Sequence, residues 1–262
     1  MPLVARYYTD PACPASWAVE PALRRLMMEF GDDLSITYVM GGLARSFDGD
    51  VLALILTWLQ AADRSGMPVD PRLWSEGPIA SSYPACMAVK AAAEQGPVAA
   101  TRYLRALREG LMCFRRKLDT AEALVEEARG ARLDPARFRS SLESHAIVEA
   151  FGADLEETRA HEAPLPSIRF TGPDGEAWVR GEAPYVEWRA AALSAGGAAP
   201  DATRLPADPL AAVTRLGRAA TVEVATLCDL PGPRAAAELW RLATEWKLHP
   251  LRVLTGELWE VG

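Results

Sequence analysis

The first forty residues constrain the fold most. Leu3 to Tyr8 is short, β-branched and aromatic, and Thr9-Asp10-Pro11 ends it, so it reads as a strand. A helix begins near Pro14, a residue tolerated in a first turn. It sets Trp17, Leu23, Leu26, Met27 and Phe30 on one face before Gly31 closes it. Leu34 to Val39 is a second strand, with Leu34, Ile36 and Tyr38 alternating against Ser35 and Thr37. A strand–helix–strand crossover of this length makes a parallel pair with the helix on one face.

Helical patterns dominate the next stretch: Val51 to Ala62, Pro84 to Gln95, Val98 to Phe114, Thr120 to Ala128 and Pro135 to Leu142, the last capped by Asp134. Strand signals return at Ser167 to Phe170 and Ala177 to Arg180, on either side of the turn Gly172-Pro173-Asp174-Gly175. A helix over Tyr185 to Leu193 follows. Ala198 to Asp208, rich in Ala, Pro and Asp, reads as a linker. Beyond it come three helices, Leu210 to Leu216, Thr221 to Leu227 and Arg234 to Trp246. A hairpin about Thr255-Gly256 closes the chain. Periodicity alone gives a mixed α/β protein with a small C-terminal unit.

Composition bounds the function. Half of the 262 residues are hydrophobic, 24% are charged and the net charge is -7, so nucleic acid is not the expected partner. No apolar run approaches the ~20 residues of a membrane-spanning helix, and the N-terminus lacks a basic region followed by a long apolar core. The expectation is a cytoplasmic protein without a membrane partner. Cys13, Cys86, Cys113 and Cys228 are widely spaced, and His145, His161 and His249 show no ligand spacing, so neither a disulfide framework nor a metal site is expected.

The chemistry-bearing segment is Asp10-Pro11-Ala12-Cys13-Pro14-Ala15-Ser16-Trp17, where the first strand gives way to the helix. A sulfur at a helix N-terminus lies among unpaired N–H groups and the positive end of the dipole. Both favour the thiolate, the nucleophilic form. Where a dithiol motif would carry its resolving cysteine, this chain has Ser16, which can donate a hydrogen bond to the thiolate but cannot close a disulfide. The implied chemistry is monothiol exchange resolved by an outside thiol, with Cys13 partly exposed and the fastest of the four to alkylate. The alternative is a small packing cysteine at a strand–helix junction. Cys86 carries the same pair of readings, resolving thiol or core residue.

The element order matches a thioredoxin-like fold with an inserted helical domain. There Leu165-Pro166, before the third strand, stands where a cis-proline faces the cysteine and the preceding backbone pairs with an extended thiol peptide; the alternative is an ordinary trans proline that starts a strand. The segments Asp10-Pro11, Cys13-Pro14, Trp17-Ala18, Glu20-Pro21, Ser82-Tyr83-Pro84-Ala85, Lys90 to Gly96 and Tyr103-Leu104-Arg105 together resemble the cytosolic DsbA-like proteins over residues 3 to 193. The nearest branch is that of the Clp-protease adaptors. The resemblance implies Cys13, Ser16 and Pro166 as the catalytic set, with Pro14, Trp17, Ser82 and Leu165 lining the substrate cleft. It implies a thiol-containing protein or small molecule as substrate, glutathione or another low-molecular-weight thiol as co-substrate, and no tightly bound cofactor. The alternatives within it are a non-catalytic adaptor using the same cleft, or a glutathione-dependent isomerase or transferase.

The expected domains are 1–198, with its helical insertion at about 50–158, and a winged-helix-like module at 205–262. From 203 onward seven Lys and Arg are matched by seven Asp and Glu, so that module is expected to pack on the body or on a second subunit in a homodimer rather than read DNA. Its Leu239, Trp240, Leu242 and Trp246 are the residues expected to be buried there. Ser16→Cys is expected to restore a dithiol motif, since positions one helical turn apart are within bridging reach. Non-reducing mass spectrometry of the oxidised variant should show a 13–16 disulfide, and its absence would argue against a thioredoxin-like motif.

Overall fold

The computed structural model describes residues 3–262. Strands β1 (Leu3–Thr9) and β2 (Leu34–Met40) pair in parallel, with Ala5 opposite Ile36 and Tyr7 opposite Tyr38. The helical crossover between them is broken in two: α1 (Pro14–Ala18) and α2 (Glu20–Phe30). Pro21, in the first turn of α2, has no N–H for a continuous helix, so the chain restarts there. Strands β3 (Ser167–Gly172) and β4 (Gly175–Arg180) extend the sheet on the other side of β1 in antiparallel fashion. The order is β2-β1-β3-β4.

Seven helices occupy the interval between β2 and β3: α3 (Val51–Ser65), α4 (Leu73–Glu76), α5 (Tyr83–Ala93), α6 (Pro97–Met112), α7 (Ala121–Gly130), α8 (Pro135–Leu142) and α9 (His145–Ala160). Helix α9 has no counterpart among the sequence-based expectations. Gly152 weakens its helical signal, and only Ile147 and Phe151 of its apolar side chains are buried. Helix α10 (Tyr185–Ser194) returns over the sheet and sets Trp188 against Tyr7. The chain is thus α/β, thioredoxin-like, with a helical insertion.

The C-terminal unit runs α11 (Pro209–Leu216), β5 (Arg218–Ala220), α12 (Thr221–Leu227), α13 (Gly232–Thr244), β6 (Leu248–Val253) and β7 (Gly256–Val261), with the sheet ordered β5-β7-β6. Strand β5, three residues long, was too short to read from sequence. The unit packs on the body through α12, which lies against α2, and through the hairpin tip, where Val69 N–H donates to Thr255 Oγ1 at 2.8 Å. The presumed linker is pinned to the body: Asp201 N–H donates to Glu29 O at 2.9 Å, and an Arg204 Nη1 donates to Phe30 O at 2.7 Å.

One expectation about this unit fails. Leu239 and Leu242 are buried, but Trp240 is 45% and Trp246 81% exposed. Helix α13 turns its aliphatic side chains onto the unit's own small core and lies on the outside, so the contact with the body falls to α12 instead.

Body and C-terminal unit share a buried charge network. Arg105 donates to Glu109 at 2.6 Å and, bidentately, to Glu223 of α12 at 2.6 and 2.8 Å. Glu20 lies among Arg24, Arg105 and Arg108. Burial opposes its charge, yet the three guanidiniums hold its carboxyl down at about 2. Because the unfolded chain binds this proton near the ordinary glutamate range, the stability it contributes is complete above that range and is lost as pH falls toward about 2. Urea unfolding of the wild type should therefore show a falling midpoint from about pH 5 to about pH 3, and Glu20→Gln should flatten that dependence. Equal pH slopes in the two proteins would contradict this assignment.

Candidate functional site

The motif loop is built on one buried carboxylate. Asp10 follows β1 and is fully buried. Its Oδ1 accepts from Ala12 N–H at 2.7 Å. Its Oδ2 accepts from Leu43 N–H at 2.7 Å, from Ser82 Oγ at 2.7 Å and from the Cys86 thiol at 3.1 Å. One side chain thus ties the motif loop, the β2–α3 loop and the start of α5. Burial raises its pKa, against the pull of those donors. Ser82 acts here as a donor to this carboxylate, wholly buried. The Cys86 thiol is pushed well up, first by burial and then by the Asp10 charge, which fits the core reading of that cysteine.

Cys13 is the N-cap of α1, and its Sγ accepts from Ser16 N–H at 3.4 Å. Facing it is the loop before β3, where the Leu165–Pro166 bond is cis and the Leu165 carbonyl lies 3.8 Å from the sulfur. Leu165 can lie there because position 41 is glycine; a Cβ at Gly41 would come within 2.6 Å of the Leu165 side chain. The structure therefore brings Cys13, Pro14, Ser16, Leu165 and Pro166 together.

It also corrects the expected state of the thiol. Cys13 is 3% exposed, and its pKa is raised. Burial is the main cause, and the Asp10 charge adds to it. The Ser16 hydroxyl and N–H, and the more distant Arg108, pull the other way without prevailing. Helix α1 has only five residues, so the dipole it offers the sulfur is short. The Ser16 hydroxyl, expected to serve the thiolate, is buried and eases its charge, but the aligned hydrogen bond to Sγ comes from the Ser16 backbone N–H.

Trp17 does not wall the cleft. It is 1% exposed and points into the body. Its Nε1 donates to Pro68 O at 2.9 Å, and the Arg105 guanidinium lies 4.7 Å from its ring centroid. What borders the motif on the surface is α3, packed on α1, which exposes Val51, Leu52 and Leu56, together with Leu43 of the preceding loop. On the other side of Leu165, Tyr8, Trp178 and His161 form an aromatic cluster with Arg180 4.3 Å from the Trp178 ring. Their meeting depends on β1, β3 and β4 lying side by side, which no local signal carries. Among the described residues there is no cluster of three or more His, Cys, Asp or Glu that could hold a metal.

Residues 7–170 match the family model described as thioredoxin. The ClpXP adapter protein SpxH of Halalkalibacterium halodurans is 30% identical over 98% of this chain and 88% of its own length. SpxH of Bacillus subtilis is 26% identical over 99% and 89%. Among solved structures, the cytosolic disulfide reductase DsbM of Pseudomonas aeruginosa superposes with a TM-score of 0.59 at 18% identity, covering 67% of this chain and 88% of DsbM. A Nitrosomonas europaea protein described as a candidate protein disulfide isomerase superposes at 0.68 and 19%, covering 75% and 100%. At these identities the solved structures show a shared fold.

Cysteine accessibility tests the site directly. Cys228 is the one partly exposed cysteine among the four, although burial and nearby acids push its thiol up to about 11. Brief iodoacetamide labelling of the native protein should modify Cys228 before Cys13, with the difference abolished in denaturant. Faster labelling of Cys13 would show that its cover opens readily in solution.

Proposed function

The chain belongs to the DsbA-like thioredoxin-fold family, and from that premise we propose that it is a protein-binding adaptor that delivers a client to a ClpXP-type protease, with the thioredoxin-like body as scaffold and no catalytic turnover at Cys13. The observation that carries this reading is the state of the thiol. Cys13 is buried and its pKa is raised by that burial, its motif holds no second cysteine, and the surface beside it is apolar. A redox catalyst needs the opposite: a reachable sulfur of lowered pKa. An adaptor needs exposed surface to dock on, which the outer face of α3 offers. The relatives named as ClpXP adapters, aligned over nearly the whole chain, support the same choice. The partners are then a client protein and the protease, and the compartment is the cytoplasm. The C-terminal unit is read as a winged-helix-like module that serves protein packing, since its charges balance and it exposes Trp240 on α13 and Trp246 just after that helix rather than a cluster of cations.

Monothiol exchange with glutathione is the second reading. The observation in its favour is the Leu165 backbone beside the Cys13 sulfur, where an extended thiol peptide would pair. It requires the sulfur to be uncovered first.

Pulse-chase proteomics separates the two. Deleting the gene should lengthen the half-lives of a small set of proteins that are also stabilised by loss of ClpX. A Cys13→Ala copy should restore their turnover as well as the wild type does. Failure of Cys13→Ala to restore turnover, or a deletion that changes protein oxidation states and no half-lives, would overturn the adaptor reading.

A further inference from the structure

Strand β2 is an edge of the main sheet. Its backbone direction follows from its end. Gly41 N–H donates to Thr9 O on β1, whereas Met40 N–H turns the other way, to Asp154 Oδ2 at 2.8 Å. Since successive peptide groups of a strand face opposite edges, the N–H and C=O of Ile36, four residues before Met40, face away from β1. Among the described residues no strand pairs with that edge. Natural proteins cover or charge such edges, because unpaired N–H and C=O groups recruit another strand.

Here the edge opens into a groove of about 700 Å³, between Leu34 to Ile36 of β2, the ends of α2 and α6, and α11 of the C-terminal unit. That size falls within the range of real ligand clefts, about 300–1,000 Å³. A smaller cleft of about 190 Å³ continues along β2 past Ile36 and Thr37 to Tyr38. The walls are apolar at Met27, Ile36, Val98 and Leu216, and Val98 is 74% exposed. The rim is cationic at Arg24, Arg102 and Arg215, against the single acid Asp32. Arg24 shares Glu20 with two other arginines. Arg102 and Arg215 meet only the backbone carbonyls of Arg132 and Arg204, and among the described residues no carboxylate pairs with either. An apolar trough with an open strand edge and unneutralised guanidinium groups at its lip is complementary to a chain that is extended, apolar on one side and acidic on the other.

We propose that this groove binds an extended acidic segment of a partner protein as an added strand on β2, with Arg102 and Arg215 pairing its carboxylates. The binding face is bipartite, because α11 supplies Arg215 and Leu216. That gives the C-terminal unit a share in recognition. No residue of the Cys13 motif lines the groove. The proposal deepens the adaptor reading by naming a surface and the chemistry of its occupant, but its assay contains neither protease nor cellular client. A failure of either test therefore leaves the other standing.

The test uses the full chain and three fluorescein-labelled peptides, one alternating glutamate and valine, one alternating lysine and valine, and the glutamate peptide with prolines in place of alternate valines. Anisotropy should show saturable binding of the first and at least about tenfold weaker binding of the other two. The double variant Arg102→Glu, Arg215→Glu should weaken the first by a similar factor. Hydrogen exchange at the Ile36 amide should slow when the glutamate peptide is bound. No saturable binding, binding blind to peptide charge or to the double variant, or protection that spares Ile36 would overturn the proposal.

Discussion

Arg105 holds the molecule together. Its guanidinium lies over the Trp17 ring, one turn from Cys13, and meets Glu109 on its own helix, Glu223 at the start of α12 and, at 3.5 Å, Glu20 at the start of α2. Arg108, one turn further along α6, pairs with Glu20, hydrogen-bonds Thr9 at the end of β1 and sits 5.8 Å from the Tyr7 ring. Burying so many charges carries a desolvation cost of several kcal/mol per ion, and removing one partner of such a pair typically costs about 3–5 kcal/mol. The arrangement holds only while the first strand, the motif helices, the insertion and the C-terminal unit all keep their places. The network therefore makes one body of what the sequence presents as a domain and an appended module.

That rigidity bears on function. With Trp17 fixed from behind by Arg105 and Pro68, and Asp10 gripping the loop in front, the motif presents its sulfur inward, under Leu165. A thioredoxin-like scaffold used for catalysis gains from the helix N-terminus by lowering a thiol's pKa. Here the same elements are assembled around a short α1 and a buried carboxylate, and the balance runs toward the protonated thiol. What remains at the surface is suited to recognition: apolar side chains of α3 beside the motif, exposed tryptophans on and just after α13, and an open strand edge on β2.

The sheet and its order of elements were largely legible in the sequence. The strand signals at Leu3, Leu34, Ser167 and Ala177 are local, and parallel pairing of the first two follows from connection length. The break at Val19 could have been read from Pro21. Helix α9 and strand β5 were not legible, because one is stabilised by packing that its weak pattern does not announce and the other is only three residues long. The candidate residues were legible as a constellation: Cys13, Ser16, Leu165 and Pro166 do meet. Their state was not, because the sulfur is buried beside the Leu165 carbonyl, and its pKa depends on that burial and on the charge of Asp10, which Ser82 and Leu43 hold in place from other segments. Trp240 and Trp246 failed for a related reason. A helix's apolar residues show that it packs, not which neighbour takes each face.

The central claim is that this fold has kept its thioredoxin-like frame while its cysteine does no redox catalysis. Reduction of insulin by glutathione, followed by turbidity in the presence of wild-type protein or Cys13→Ala, measures that most directly. The account predicts that neither protein raises the rate above that of glutathione alone. A wild-type acceleration that disappears in Cys13→Ala would contradict it.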